Sequence, residues 1–236
     1  MMRGLSVKIA AVSLIALAAG CVSRNNEKGE QARAEYAQSL GDSIAAIERQ
    51  IDSCNNNIGA LRDHVGELLR DFTTVANLRE AGSYIIMTPF KGRYPLKSTG
   101  LLARINDNGQ FELIAALSGK AFDQITVNGP SVTASSAVVP HDQALNYRTA
   151  SLTTVSFIGA EADSIGALIA DNQLNPLTLT YMQGRAVQAW RIPESDAKMI
   201  AYTYQLYSTQ RELNRLERRV PMLHEKINLL RAHKDK

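Results

Sequence analysis

LGDSIAAIERQIDSCNNNIGALRDHVGELLRDFTTV, Leu40–Val75, places an apolar residue at alternating steps of four and three: Leu40, Ile44, Ile47, Ile51, Cys54, Ile58, Leu61, Val65, Leu68, Phe72 and Val75. Such steps keep one stripe of a helix apolar and describe the seam of a coiled coil. A second run lies near the other end of the chain: Met199, Tyr202, Leu206, Thr209, Leu213, Leu216, Val220, Leu223, Ile227 and Leu230. Laid antiparallel, the runs meet layer by layer, from Val75 opposite Met199 and Phe72 opposite Tyr202 to Ile44 opposite Leu230. The expected fold is α+β. N- and C-terminal helices form a long antiparallel two-helix coiled-coil stalk, and a small β-rich domain is inserted between them.

Charge favours that pairing. Residues 22–81 hold 7 Lys and Arg against 10 Asp and Glu, whereas residues 194–236 hold 9 against 6. Flanking positions would bring Glu48 to Arg231 and Arg62 to Glu217. Exposed pairs contribute only a few tenths of a kcal/mol each, so the apolar seam must supply the stability.

Working outward from the seam, the outgoing helix is expected over residues 31–81, ending at Ala81-Gly82. Asn55, Asn56, Asn57 and Gly59 are weak helix formers within it, yet the seam stays in phase across them. The returning helix is expected over 194–236, with Ser195 or Asp196 as its N-cap and Pro221 inside it. Pro221 and the Asn cluster fall at one height of the stalk, which marks either a hinge or bend or simply a tolerated kink.

Residues 82–193 form the β-rich domain, with six to eight mostly antiparallel strands and one helix over Glu161–Asn172. Asn106-Asp107-Asn108-Gly109 is a hairpin turn, in which Gly109, and if needed Asn108, tolerates positive φ. Trp190, the single tryptophan, is expected to anchor the β core.

The first twenty residues have the form of a secretion signal. Arg3 and Lys8 give a positive start, Ile9 to Ala19 an apolar stretch, and Ala18, Ala19 and Gly20 the small residues before cleavage. Leu17-Ala18-Ala19-Gly20-Cys21 resembles the lipobox of bacterial lipoproteins, with Leu17 one place further from the cysteine than usual. That resemblance implies removal of residues 1–20 and lipidation of Cys21 by acyl chains such as palmitate. The plain alternative is an ordinary signal peptide cut near Gly20. Under the lipobox reading residues 21–30 serve as lipidated cysteine and flexible tether. Val22 stands where an inner-membrane retention signal usually has Asp, so the resemblance implies the outer membrane, on either of its faces. The stretch from Phe157 to Ile165, through Ala170 and Pro176 to Tyr181, is similar to uncharacterised lipoproteins of the Bacteroidetes group and implies no activity.

Chemistry-bearing motifs are sparse. His64, His141, His224 and His233 lack metal-ligand spacing, and the Asn106–Gly109 turn lacks the length and closing Glu of a calcium loop. His141-Asp142 is more simply a loop whose aspartate satisfies backbone amides. No nucleophile elbow, zinc-protease or phosphate-cradling motif occurs, so no catalytic residue, metal or cofactor is assigned. Cys54 has no internal partner and is expected to be a buried thiol. A net charge of +3 without a basic tract argues against nucleic acid.

The most functional-looking surface is Lys91-Gly92-Arg93-Tyr94-Pro95-Leu96-Lys97, with Lys91, Arg93, Tyr94 and Lys97 as candidate binding residues, the plainer reading being a solvated turn. The expected function is a membrane-anchored, non-enzymatic interaction protein whose β-rich domain meets an unidentified protein or glycan partner. The alternative is a coiled-coil scaffold of the cell envelope, self-associating through its stalk. A glycan-processing enzyme is the third reading.

Overall fold

In the computed structural model, which describes residues 26–77, 82–142 and 144–234, the seam opens a helix, α1, over Asn26–Leu68. It begins five residues before the expected Gln31, and the expected tether over 21–30 is helical from Asn26. It also ends well short of residue 81. A short 3-10 turn, Leu69–Asp71, leads into a strand, β1, at Phe72–Asn77. Phe72 and Val75 keep the heptad phase by coincidence. Between them lie Thr73 and Thr74, and this β-branched run prefers the pleated backbone. It pairs antiparallel with β2, Gly82–Met87, Phe72 opposite Met87 and Val75 opposite Tyr84. The β domain therefore begins at residue 72, and Phe72 and Val75, expected opposite Tyr202 and Met199 in the stalk, belong to a strand and not to the stalk helix.

The chain then runs through a 3-10 turn at Thr88–Arg93, whose Phe90 is buried. Further strands follow: β3, Gly100–Asn106; β4, Phe111–Ser118; β5, Gln124–Asn128; β6, Thr133–Ser135; β7, Asn146–Arg148; and β8, Leu152–Ile158. Helix α2 spans Ala160–Asp171, the hairpin β9–β10 occupies Leu177–Gln183 and Arg185–Ile192, and helix α3 runs over Glu194–Lys234. The described residues thus contain ten strands where six to eight were expected. The surplus includes β1 and the short β7, which a turn at Thr149, whose amide bonds the Leu152 carbonyl, separates from β8.

Two antiparallel sheets result, one in the order β1-β2-β3-β4-β8-β7 and the other β10-β9-β5-β6. The central strands β3 and β4 are buried on both faces. Alternation along them decides what each face meets. Ile105 shares an apolar cluster with Leu68 of α1 and Leu206 of α3, and Phe111, opposite Ile105, packs edge-on against Tyr204 of α3. One residue on, Arg104 and Glu112 point to the other face and pair there. In the second sheet Leu177, Leu179, Tyr181, Ile125 and Val127 turn inward and join the same core as Leu101, Leu113 and Phe157 of the first. The Tyr181 hydroxyl, donating to the Gly100 carbonyl at 3.2 Å, ties the sheets together. Trp190 packs only half-buried at the edge of this core.

Beyond the domain, α1 and α3 lie against each other with opposite chain direction. Ile47 and Ile51 cluster with Ile227, and Cys54 and Ile58 cluster with Leu216, with Val220 packed against both groups. Cys54 is a buried free thiol. At the flanks Arg62 reaches Glu217 at 2.7 Å and Arg231 reaches Glu48 at 3.0 Å. Helix α3 continues unbroken through Pro221.

The start of α3 agrees with expectation, but its capping does not. The helix opens at Glu194, and Asp196 does not cap it. Asp196 is buried and forms a two-pronged ion pair with Arg93, 103 residues away, one prong being Nη2 to Oδ2 at 2.9 Å.

Candidate binding surface

Lys91, Arg93, Tyr94 and Lys97 occupy the end of the Thr88–Arg93 turn and the segment after it, and the fold divides them. Lys91 and Lys97 are exposed. Arg93 is held by Asp196, and its guanidinium also sits 5.6 Å from the centre of the buried Phe90 ring. The Asp196 hydrogen bond raises the Arg93 pKa, so the cation is secured by the fold. Tyr94 accepts a hydrogen bond from Arg104. The Arg104 guanidinium lies 3.5 Å over the Tyr84 ring and grips both Glu112 oxygens, at 2.6 and 2.8 Å. This network is almost wholly buried, and a charge in such a place must be matched. Arg93 and Tyr94 therefore bind the domain to itself, which leaves two lysines of the expected patch facing outward.

A larger feature lies along one side of α3. Tyr207, Gln210, Arg211, Asn214, Arg218 and Met222 recur at helical spacing on that side, and Arg215 and Arg219 flank them. The β3–β4 turn overhangs it at Gly109 and Gln110, while Val65 and Leu213 reach it from the seam. Together they line a groove of about 1000 Å³. From Tyr207 to Met222 it covers four helical turns, ~22 Å.

Each wall has a local cause. Gly109 sits at φ +72°, where a side chain would be strained. The Asn106 side chain accepts from the amides of Asn108 at 3.1 Å and Gln110 at 2.9 Å, which fixes the turn. At the inner end, the Tyr207 hydroxyl donates to Asp163 Oδ2 at 2.8 Å, and Arg211 reaches the same oxygen at 3.1 Å. Burial, and then the Asp163 hydrogen bond, push the Tyr207 phenol pKa up. Arg215 forks onto Glu212 one turn before it. The Glu212 pKa is lowered, first by that hydrogen bond. Arg219 makes a long 3.4 Å contact to Gln50, and Arg218 has no hydrogen-bond or ion-pair partner among the described residues. Four arginines thus meet two carboxylates, Asp163 and Glu212, and the groove keeps a positive surplus.

The seam reading passed over this stripe because its residues lie off the apolar phase. The visible trace was the excess of cations in residues 194–236 and the spacing of Arg211, Arg215 and Arg218.

The remaining polar candidates have structural partners. Asp142 accepts from the amides of Ala144, Leu145 and Asn146, and the last two of these chiefly lower its pKa. His141 Nδ1 lies 2.8 Å from the Asn146 carbonyl oxygen. His64 sits beside Gln205 and Glu67. No group of three His, Cys, Asp or Glu that could hold a metal ion occurs among the described residues. Cys21, the expected lipidation site, lies outside the described residues. No described helix is long and apolar enough to cross a membrane. Comparison of the chain with protein-family models, with curated proteins and with solved structures finds no match.

Proposed function

We propose that the chain is a non-enzymatic interaction lipoprotein of the bacterial envelope. It is lipid-anchored at Cys21 in the outer membrane and presents its β-rich domain to a partner on a two-helix coiled-coil stalk. The observation that carries the reading is the seam itself. Ile47, Ile51 and Ile227, then Cys54, Ile58 and Leu216, then Leu68 and Leu206 form successive apolar clusters between α1 and α3. Their heptad spacing is that of a coiled coil. From Ile44 to Leu68 the seam is ~36 Å long at 1.5 Å per residue. A protein that only needed a folded domain would have no use for such a spacer, whereas one held at a membrane gains reach from it.

The lipobox-like Leu17–Cys21 supplies the anchor in this reading. Acyl chains contribute about 0.8 kcal/mol per buried CH₂, so several chains hold where one would not. The test is labelled palmitate together with membrane fractionation. Wild type should incorporate label and sediment with outer membranes, and Cys21→Ser should do neither and accumulate as precursor. Normal processing and fractionation of the serine variant would sink the anchor.

The scaffold reading, in which stalks pair with one another, draws on Met222 and Leu229. They are exposed one heptad apart on α3, at 69% and 59%. Light scattering on purified protein separates a stalked monomer from such an assembly.

A further inference from the structure

We infer that the arginine-rimmed groove on α3 docks an acidic amphipathic segment of a partner protein. The inference rests on the proposed role as an interaction module and names the chemistry of the partner. Charge selects the sign. Arg211 and Arg215 are matched inside the protein by Asp163 and Glu212, whereas Arg218 and Arg219 meet no carboxylate among the described residues. A guanidinium presents a fixed fork that suits a carboxylate, and such charge-assisted bonds are stronger than neutral ones.

The floor selects the class. Val65, Tyr207, Leu213 and Met222 are apolar, and Met222 is 69% exposed. A polyanion with no apolar side would leave Met222 in water. A helix with leucines on one side and glutamates on the other covers the methionine and reaches the rim at once. Methionine is suited to this because its unbranched side chain adapts to the shape laid on it. The ~22 Å between Tyr207 and Met222 accommodates about four turns of such a helix. This is helix-in-groove recognition, in which apolar anchors set the affinity and rim charges set the partner.

The experiment measures fluorescence anisotropy of three labelled synthetic peptides of about 15 residues against the full chain in detergent micelles. The first has leucines on one side and glutamates on the other. The second replaces every Glu by Gln, and the third keeps the glutamates but replaces the leucines by serine. The first peptide should bind at least about tenfold tighter than either control, with affinity falling as salt rises. Arg218→Glu with Arg219→Glu should weaken it by more than about tenfold, and so should Met222→Asp, with unchanged melting because all three positions are exposed. Equal binding of the Gln peptide, or no effect of the arginine reversals, overturns the proposal. Equal binding of the serine peptide, or of a sulfated oligosaccharide insensitive to Met222→Asp, reduces the groove to a general anion site. A dimer seen by light scattering and broken by Arg218→Glu would assign the groove to a second copy of this chain instead. None of these outcomes touches the anchoring, which is read separately from palmitate incorporation at Cys21.

Discussion

Gly166 of α2 and Tyr204 of α3 approach so closely that a Cβ on the glycine would lie 2.5 Å from the tyrosine ring. The same Cβ would meet the Phe111 ring at 2.7 Å. Neither ring can step aside, since Phe111, Tyr204 and Tyr207 pack on one another with centroids 5.3 to 6.0 Å apart.

Gly166→Ala should therefore destabilise by about 1–2 kcal/mol net, because both rings crowd the new Cβ and the overpacking cost lies at the upper end of about 1–3 kcal/mol. That cost exceeds the ~1 kcal/mol that alanine gains in helix propensity. Gly59→Ala is the control, because nothing lies within 4 Å of a Cβ there, and it should stabilise by roughly 0.5–1 kcal/mol. Urea denaturation of both variants decides the matter. A neutral Gly166→Ala would mean that α2 and α3 are less closely packed.

A second prediction separates structure from binding in the Lys91–Lys97 segment. Arg93→Ala leaves the Asp196 carboxylate, 1% exposed, without its partner. Arg93 itself is 42% exposed, so solvent relieves part of the cost, and a loss of about 2 kcal/mol is expected. Lys91→Ala and Lys97→Ala should stay within about 0.5 kcal/mol of wild type. If all three melt alike, Arg93 is a surface residue and the ion pair is not formed.

The Arg104–Glu112 pair provides a third. Removing one partner of a buried pair costs about 3–5 kcal/mol, whereas replacing both by apolar residues is often neutral. Arg104→Met should be severely destabilised, and adding Glu112→Leu should recover most of the loss. Failure of the second change to rescue would show that the Tyr84 and Tyr94 contacts to Arg104 dominate.

Alkaline pH gives the fourth. Burial pushes the Tyr181 phenol pKa far above its usual value of 10, and the shifts of Tyr204 and Tyr207 have the same sign. A raised folded pKa means stability that is intact below pH 10 and lost as pH climbs toward the folded value. Denaturant midpoints should fall above pH 10, and Tyr181→Phe should flatten that decline. An unchanged slope in the variant would place the alkaline loss elsewhere.

The seam was legible as far as Leu68 because heptad spacing is local and α1 obeys it. It misled at Phe72 and Val75, where phase continued while β-branching favoured a strand. Sequence alone assigned Arg93 and Tyr94 to the surface because their partners, Asp196 and Arg104, are unrelated to them by any periodic rule. The α3 groove was missed for a different reason. Its residues follow helical spacing, but their significance depends on a β turn arriving beside them.

The last prediction concerns Pro221. Inside a helix a proline loses one hydrogen bond and crowds the carbonyl four residues back, at ~3 kcal/mol. Asn55 and Gly59 face it across a cleft of about 540 Å³. Pro221→Ala should stabilise α3 and slow hydrogen exchange of amides 216–222. If the wild-type amides there and at 53–60 already exchange as slowly as their neighbours, the stalk does not flex at this height.

The opposite chain directions of α1 and α3 determine how the molecule would bear mechanical load. With the tether proposed at Cys21, tension would enter the chain through α1. Under such tension α1 could lengthen only by sliding along α3, so the Ile47, Cys54, Ile58 and Leu68 layers would resist together. Peeling would break those layers one at a time under a much smaller force. A tether placed ahead of α1, as proposed, would therefore load the stalk in shear.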